Sequence, residues 1–163
     1  MNFFSGGQPS AYRDSLSGAL EVQYVSGNAE RHEAMIDVSM NTAKGLISGP
    51  TPIEGLTFLA SARRSYFEAY FETLAVFGLV GSQFAAPDLG EYLVKLSHVD
   101  GSSQIDALVL YSSDGLNFIG DANEDTLFSF DGSLSIRNQS FLSSLRWRSQ
   151  PTSHLKLHAL AGL

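Results

Sequence analysis

The chain contains no cysteine, and this absence excludes disulfide bonds, thiolate metal sites and cysteine nucleophiles. Long apolar runs are also missing: no stretch of about 18 consecutive apolar residues occurs, so the sequence predicts no transmembrane helix. That criterion does not exclude a transmembrane β-barrel, because the strands of such a barrel are only half apolar. The first ten residues lack the basic and apolar segments that are typical of a signal peptide.

Basic residues are scarce, with 10 Lys and Arg against 17 Asp and Glu and a formal net charge of −7. Nucleic-acid phosphates attract proteins that carry a continuous basic patch. The few clustered basic residues lie on alternating strands and form no such patch: Arg63, Arg64, Arg146, Arg148 and Lys156. We therefore expect no nucleic acid among the partners.

Motifs for catalysis, cofactors and metals are absent from the sequence. It has no Gly-x-Ser-x-Gly nucleophile motif, no glycine loop that leads from a strand into a helix, and no paired-carboxylate motif of a glycan-active enzyme. His154 and His158 are four apart on a predicted strand, which separates them by about 13 Å, too far to share a metal. We predict no enzymatic activity, no catalytic residue, no cofactor and no metal site.

Apolar and polar residues alternate along much of the chain, and this period of two is the signal of β-strands. The longest such run covers about 11 residues from Leu56, which is the length that a tilted strand needs to cross a bilayer. One face of the run is apolar and the other polar, with Leu59 as the exception. The faces are Leu56, Phe58, Ala60 and Ala62 against Thr57, Ser61, Arg63 and Ser65.

The same alternation predicts several further strands. They cover 18–25, 34–41, 92–98, 104–112, 134–149 and 155–163. Residues 31–48 allow two interpretations: a hairpin that turns at 41–45 and returns through Leu46 and Ile47, or one uninterrupted strand. Residues 1–17 are rich in Gly, Ser and Pro and are predicted as loop and turn.

One segment has helical rather than strand periodicity. Its apolar residues recur at spacings of three and four: Phe67, Tyr70, Phe71, Leu74 and Phe77. This spacing predicts a short loop helix near 66–80 that packs by its apolar face. An aromatic patch that grips a ligand is the alternative.

The predicted connections alternate in length, being short at 49–55, 99–103 and 150–153 and long at 67–90 and 113–133. Outer-membrane barrels have this asymmetry, with short periplasmic turns and long extracellular loops. We therefore expect an all-β antiparallel meander that forms part of a transmembrane β-barrel. A soluble extracytoplasmic β-sandwich that acts as a binding module has similar strands and turns, and it is the alternative.

Two segments resemble TonB-dependent outer-membrane receptors of the kind found in Bacteroidetes. FFSGGQPSAYRDSLSGALEVQYVSGN is similar to the end of that family's plug domain, although Arg13 stands where the family usually has Gly. GPTPIEGLTFLASARRSY is similar to its opening barrel strands. Together the motifs cover roughly residues 4–66. The resemblance implies that 1–29 is the C-terminal end of a plug and that 30–163 is the N-terminal part of an incomplete transmembrane barrel.

The resemblance also implies a function: energised uptake across the bacterial outer membrane of a large or scarce ligand, namely a siderophore, a cobalamin, a glycan or a peptide. The implied partners are outer-membrane lipid, that small-molecule or glycan ligand, a surface lipoprotein, and an inner-membrane energy-transducing complex. The family contacts this complex through a segment N-terminal of the plug. Because an outer-membrane protein needs a signal peptide, we expect this chain to be an internal segment of a longer protein.

The barrel interpretation assigns side chains by their position in the alternation. A lipid-facing Arg near the bilayer midplane costs about 2–4 kcal/mol, so basic residues on the polar parity are expected to face the lumen. These lumen-facing candidates are Arg63, Arg146, Arg148 and Lys156. Aromatic residues on the apolar parity at strand ends predict two girdles at the membrane interfaces. The girdle candidates are Tyr66, Tyr92, Tyr111 and Trp147.

Overall fold

The computed structural model describes residues 2–4, 18–77, 84–120 and 132–163. This part of the chain is built from β-strands and one helix. The strands are β1 (Asn2–Phe4), β2 (Ala19–Glu21), β3 (Glu33–Val38), β4 (Thr42–Pro50), β5 (Leu56–Ser65), β6 (Phe84–Asp100), β7 (Ser103–Gly120), β8 (Gly132–Thr152) and β9 (Leu155–Gly162). The helix α1 is Phe67–Val76, which confirms the loop helix expected near 66–80.

Seven strands form one antiparallel sheet in the order β3-β4-β5-β6-β7-β8-β9, so each strand pairs with its neighbours in sequence. This confirms the all-β antiparallel meander. β1 and β2 form a separate two-stranded antiparallel sheet. Within the described residues the large sheet is not closed, because β3 and β9 each have a strand partner on one side only.

The structure decides between the two interpretations of residues 31–48 in favour of the hairpin. β3 pairs with β4 around a turn at 39–41, where the backbone N–H of Ser39 donates to the carbonyl oxygen of Thr42 over 2.8 Å. The returning strand β4 has 9 residues and starts at Thr42, so the turn is earlier and tighter than predicted. The single uninterrupted strand is therefore wrong.

Three strands are longer than the alternation predicts: β6, β7 and β8 have 17, 18 and 21 residues. Residues 84–90, 113–120 and 132–133 belong to these strands, which corrects the predicted bounds of the long connections at 67–90 and 113–133. Asp88 pairs with Gly115, for example, in a stretch whose composition is typical of turns. Cross-strand hydrogen bonding continues there after the apolar alternation has stopped, and sequence periodicity does not detect it.

The N-terminal prediction also needs correction. Residues 2–4 were expected in a loop, whereas they form β1 and pair with β2, with Phe3 opposite Leu20. The predicted strand at 18–25 is shorter in the structure and ends at Glu21. The plug-like motif within 5–17 lies outside the described residues.

Three short connections lie at one end of the sheet, at 51–55, 101–102 and 153–154. The first two are near their predicted positions, and the third follows β8 later than the predicted turn at 150–153. β5 and β7 end, and β6 and β8 begin, at the opposite end, where the turn at 39–41 also lies. We call these the short-turn end and the long-connection end.

Gly55 occupies the first short turn for two physical reasons. Its φ is 74°, in the left-handed region that glycine adopts without a Cβ penalty. A Cβ atom at this position would also lie 2.2 Å from the carbonyl oxygen of Val99, which is too close for any side chain. The turn therefore packs tightly against β6, and the N–H of Val99 donates to the carbonyl oxygen of Gly55 over 2.9 Å.

The hydrophobic core is small and lies in the middle of the sheet. In the described part of the chain its buried apolar residues are Leu59, Leu93 and Leu108, with Leu46 and Leu110 packed against them. No helix in that part is long and apolar enough to cross a membrane.

Candidate functional site

The register of the sheet divides its side chains between two faces. Residues directly opposite each other in an antiparallel ladder project to the same face. One row across β5, β6, β7 and β8 contains Leu59, Lys95, Leu108 and Ser144, and the next row contains Ala60, Val94, Val109 and Ser143. We call the face of Lys95 the polar face and the face of Val94 the apolar face.

Polar side chains are covered on one face and apolar side chains are exposed on the other, whereas a water-soluble sheet covers its apolar side chains. The covered face also holds the buried leucines Leu59, Leu93 and Leu108. The polar face contains all the buried polar side chains of the described residues: Ser48, Thr57, Ser65, Lys95, Ser97 and Asp106. The apolar face exposes large hydrophobic side chains on six of the seven strands. They include Ile36, Ile47, Val94, Leu96, Ile105, Val109, Leu145, Trp147 and Leu157.

Residues 24–27, which we call the covering segment, lie over the polar face. Lys95 Nζ donates to the carbonyl oxygen of Tyr24 over 2.8 Å and lies 3.2 Å from Ser26 Oγ. Ser97 Oγ lies 3.0 Å from Ser26 Oγ. Gly27 packs so closely on β5 that a Cβ atom there would lie 2.1 Å from the carbonyl oxygen of Phe58. These contacts fix the chain before β3 to the polar side of the sheet.

Asp106 is the centre of a charge cluster beneath the covering segment. Its carboxylate lies 3.6 Å from Lys95 Nζ and 3.0 Å from Arg148 Nη2. Ser97 Oγ and Gln104 Nε2 also donate to Asp106 Oδ1, over 2.7 Å and 3.0 Å. We call these five residues the Asp106 cluster. Buried charges are tolerated when such pairing and hydrogen bonding replace water.

The site residues predicted from the sequence do not include Lys95, Ser97, Gln104 or Asp106. Lys95, Ser97 and Asp106 follow the polar parity of their strands, which is the signal that could have indicated them. Their meeting depends on register: Ser97 lies directly opposite Asp106, and Lys95 is two rows away on the same face. No local pattern specifies that register.

The four lumen-facing candidates all lie on the polar parity, but they do not form one site. Arg148 belongs to the Asp106 cluster, and Arg146 lies directly opposite Asp106 in the ladder. Arg63 on β5 lies opposite Lys44 and Glu91, three strands from Arg146 and Arg148 and four from Lys156. Lys156 lines a shallow pocket together with Arg148. Their orientation toward a lumen stays a prediction.

Two of the aromatic candidates do not lie at strand ends as predicted: Tyr92 and Tyr111 lie in the middle of the 17-residue β6 and the 18-residue β7, because these strands continue beyond the apolar alternation. Tyr92 and Tyr111 are paired neighbours on β6 and β7, and their rings stack with centroids 6.2 Å apart. Tyr66 lies at the long-connection end, where its hydroxyl donates to the carbonyl oxygen of Ser39. Trp147 lies near the short-turn end, and its Nε1 donates to Ser103 Oγ over 3.0 Å. The girdles themselves stay a prediction.

The chemistry that this arrangement offers is binding by ion pairs and hydrogen bonds. Among the residues that the structure describes, no group of three His, Cys, Asp or Glu side chains is placed to hold a metal ion. No family model, no curated protein and no solved structure matches the chain.

Proposed function

We propose that the chain is part of a TonB-dependent receptor that takes up a large or scarce ligand across the bacterial outer membrane. In this proposal β3 to β9 are strands of the transmembrane barrel, and residues 1–29 are the end of the plug domain. The observation that carries it is the inverted burial of the sheet, whose apolar face is exposed while its polar face holds the buried charges.

Hydrocarbon is the environment that suits such an apolar face. Exposed apolar side chains on six of the seven strands, including Val94 at 50% and Leu145 at 52% exposure, make a surface too extended for a water-soluble monomer. Transmembrane barrels alternate in this sense, with apolar residues facing lipid and polar residues facing the lumen. β5, β6, β7 and β8 each have at least the roughly 9–11 residues that a tilted strand needs to cross.

The covering segment supports the plug assignment. It precedes β3 and lies on the polar face, held by the hydrogen bonds of Lys95 and Ser97 to Tyr24 and Ser26. A plug fills the lumen of its barrel, so the chain that leaves it should contact the lumen-facing side of the wall. A β-sandwich would instead place a second sheet on the apolar face.

We infer the transport function from the resemblance to TonB-dependent receptors together with the proposed position of the sheet in the outer membrane. The ligand, a siderophore, cobalamin, glycan or peptide, would bind at the long-connection end, which faces outward if the short turns are periplasmic. An inner-membrane energy-transducing complex would act on the plug from the periplasm. A surface lipoprotein would be a further partner on the outside.

Fluorophores on the two faces test the membrane placement directly. Because the chain has no cysteine, Val94→Cys and Ser61→Cys each give one attachment site for an environment-sensitive dye. Val94 pairs with Ala60, and Ser61 with Leu93, so the two sites lie at nearly the same depth on opposite faces. In liposomes, lipid-borne quenchers should quench the dye at position 94 strongly and the dye at position 61 weakly.

Equal quenching at both positions, or none at either, would overturn the proposal. A dye at position 94 that is shielded from water in detergent-free buffer, in a monomeric protein, would favour the soluble β-sandwich instead.

A further inference from the structure

A shallow pocket at the short-turn end of β7, β8 and β9 has no role in the function proposed above. Its polar lining includes Gln104, Arg148, Gln150, Lys156 and His158. It adjoins the Asp106 cluster, with which it shares Gln104 and Arg148. Its charged residues Arg148, Lys156 and His158 lie on the polar parity of β8 and β9, away from the face that lipid would cover.

A β-bulge shapes this pocket. Ser149 pairs with Leu157 and Thr152 with Leu155, so Gln150 and Pro151 together lie opposite Lys156 alone. Bulges re-aim side chains and occur often beside functional sites. Pro151 has no N–H to donate to the ladder, and a bulge is one of the few places where a strand accepts it. The N–H of Gln150 donates instead to the carbonyl oxygen of Ser102 in the neighbouring turn, over 2.9 Å.

The charge in the pocket is opposite to that of the chain as a whole. The protein carries a net charge of −7, yet the pocket lining contains Arg148, Lys156 and His158 and no carboxylate. The adjacent carboxylate of Asp106 is already engaged by Lys95, Arg148, Ser97 and Gln104. Among the described residues, the structure records no ion pair or hydrogen bond for the side chains of Lys156 and His158.

We propose that this pocket binds an anionic group, a carboxylate or a phosphate, through Arg148 and Lys156 with His158 and Gln150 as further polar partners. Arg148 uses one guanidinium nitrogen on Asp106, and its side chain stays 46% exposed toward the pocket. A planar guanidinium can hold two oxygen acceptors at once, and an ammonium adds a point charge beside it. A carboxylate and a phosphate both present acceptor oxygens. We therefore expect the two anions to bind the pocket in the same way but with different affinities.

Calorimetric titration of the full protein, folded in detergent micelles, tests this proposal with sodium phosphate and sodium acetate as probes. Sodium chloride holds the ionic strength constant. Tighter binding of phosphate assigns the site to a phosphate group, and tighter binding of acetate assigns it to a carboxylate.

Lys156→Gln should weaken the binding of the preferred anion about tenfold, because a charge-assisted hydrogen bond is lost. Lys44→Gln is the matched control, since Lys44 lies on the polar parity of β4, far across the sheet, opposite Asp37 and Arg63. It should leave the affinity unchanged. The proposal is overturned if neither anion binds saturably, or if Lys156→Gln binds as tightly as the unmodified protein.

Discussion

An arginine on the apolar face, in the middle of the sheet, is the most direct test of the proposed position of the sheet in a membrane. Val94→Arg should destabilise the folded protein in a bilayer by about 2–4 kcal/mol, because a guanidinium at the midplane must leave water or deform the lipid. Val94 is 50% exposed, so the cost arises from the surroundings and not from overpacking in a core.

The depth of Val94 follows from the sheet register. Val94 pairs with Ala60, which is near the middle of the 10-residue strand β5. Ten residues at about 3.4 Å each, tilted by about 40°, cover about 26 Å, close to the apolar band of about 25 Å in outer-membrane barrels. Val94 therefore lies near the midplane. Leu157 lies close to the turn at 153–154, so Leu157→Arg should cost only about 0–1 kcal/mol.

Denaturant unfolding of the intact protein in liposomes measures these differences. Ser61→Arg is the control at the depth of Val94 on the polar face, and Lys156→Arg is the control near Leu157; both should change the free energy of unfolding little. Phe58→Arg should be intermediate, since Phe58 pairs with Leu96 nearer the short-turn end. Equal losses for Val94→Arg and Ser61→Arg would refute the assignment of the faces.

Three further predictions concern solubility, topology and the buried charges. By itself in detergent-free buffer, the chain should aggregate in light-scattering measurements, because its apolar face and its unpaired edges β3 and β9 are exposed. On intact cells, an impermeant thiol reagent should label Thr42→Cys at the long-connection end but not Thr51→Cys at the short-turn end. Asp106→Asn should lower the free energy of unfolding by about 3 kcal/mol, because buried Lys95 loses its counter-charge. Glu33→Gln, in the exposed pair with Arg31, should cost less than about 1 kcal/mol.

Each of these predictions has a result that would contradict it. A monomer that melts cooperatively in plain buffer would contradict the membrane proposal. Labelling of Thr51→Cys but not of Thr42→Cys would reverse the orientation of the sheet. Equal effects of Asp106→Asn and Glu33→Gln would show that the Asp106 cluster is not buried in the folded protein.

Local sequence signals were enough to predict several of the secondary-structure elements. Alternation with a period of two predicted β5. It also predicted how the side chains of β5 divide between two faces, because successive residues of a strand project to opposite sides. The spacing of Phe67, Tyr70 and Leu74 predicted α1, because residues three and four apart lie on the same face of a helix. The hairpin of β3 and β4 was one of two interpretations, since polar residues at 41–45 suit either a turn or a strand interior.

Contacts between strands set the strand ends, the strand pairing and the Asp106 cluster. β6, β7 and β8 continue through residues of turn-like composition because each is hydrogen-bonded to a neighbouring strand. The sequence around a residue does not show which strand will lie beside it. The bulge at Gln150 and Pro151 likewise exists only relative to β9. Lys95, Asp106 and Arg148 lie on three different strands, and the covering segment is earlier still in the chain. Register brings these groups together, and register depends on how whole strands align rather than on the pattern within any one of them.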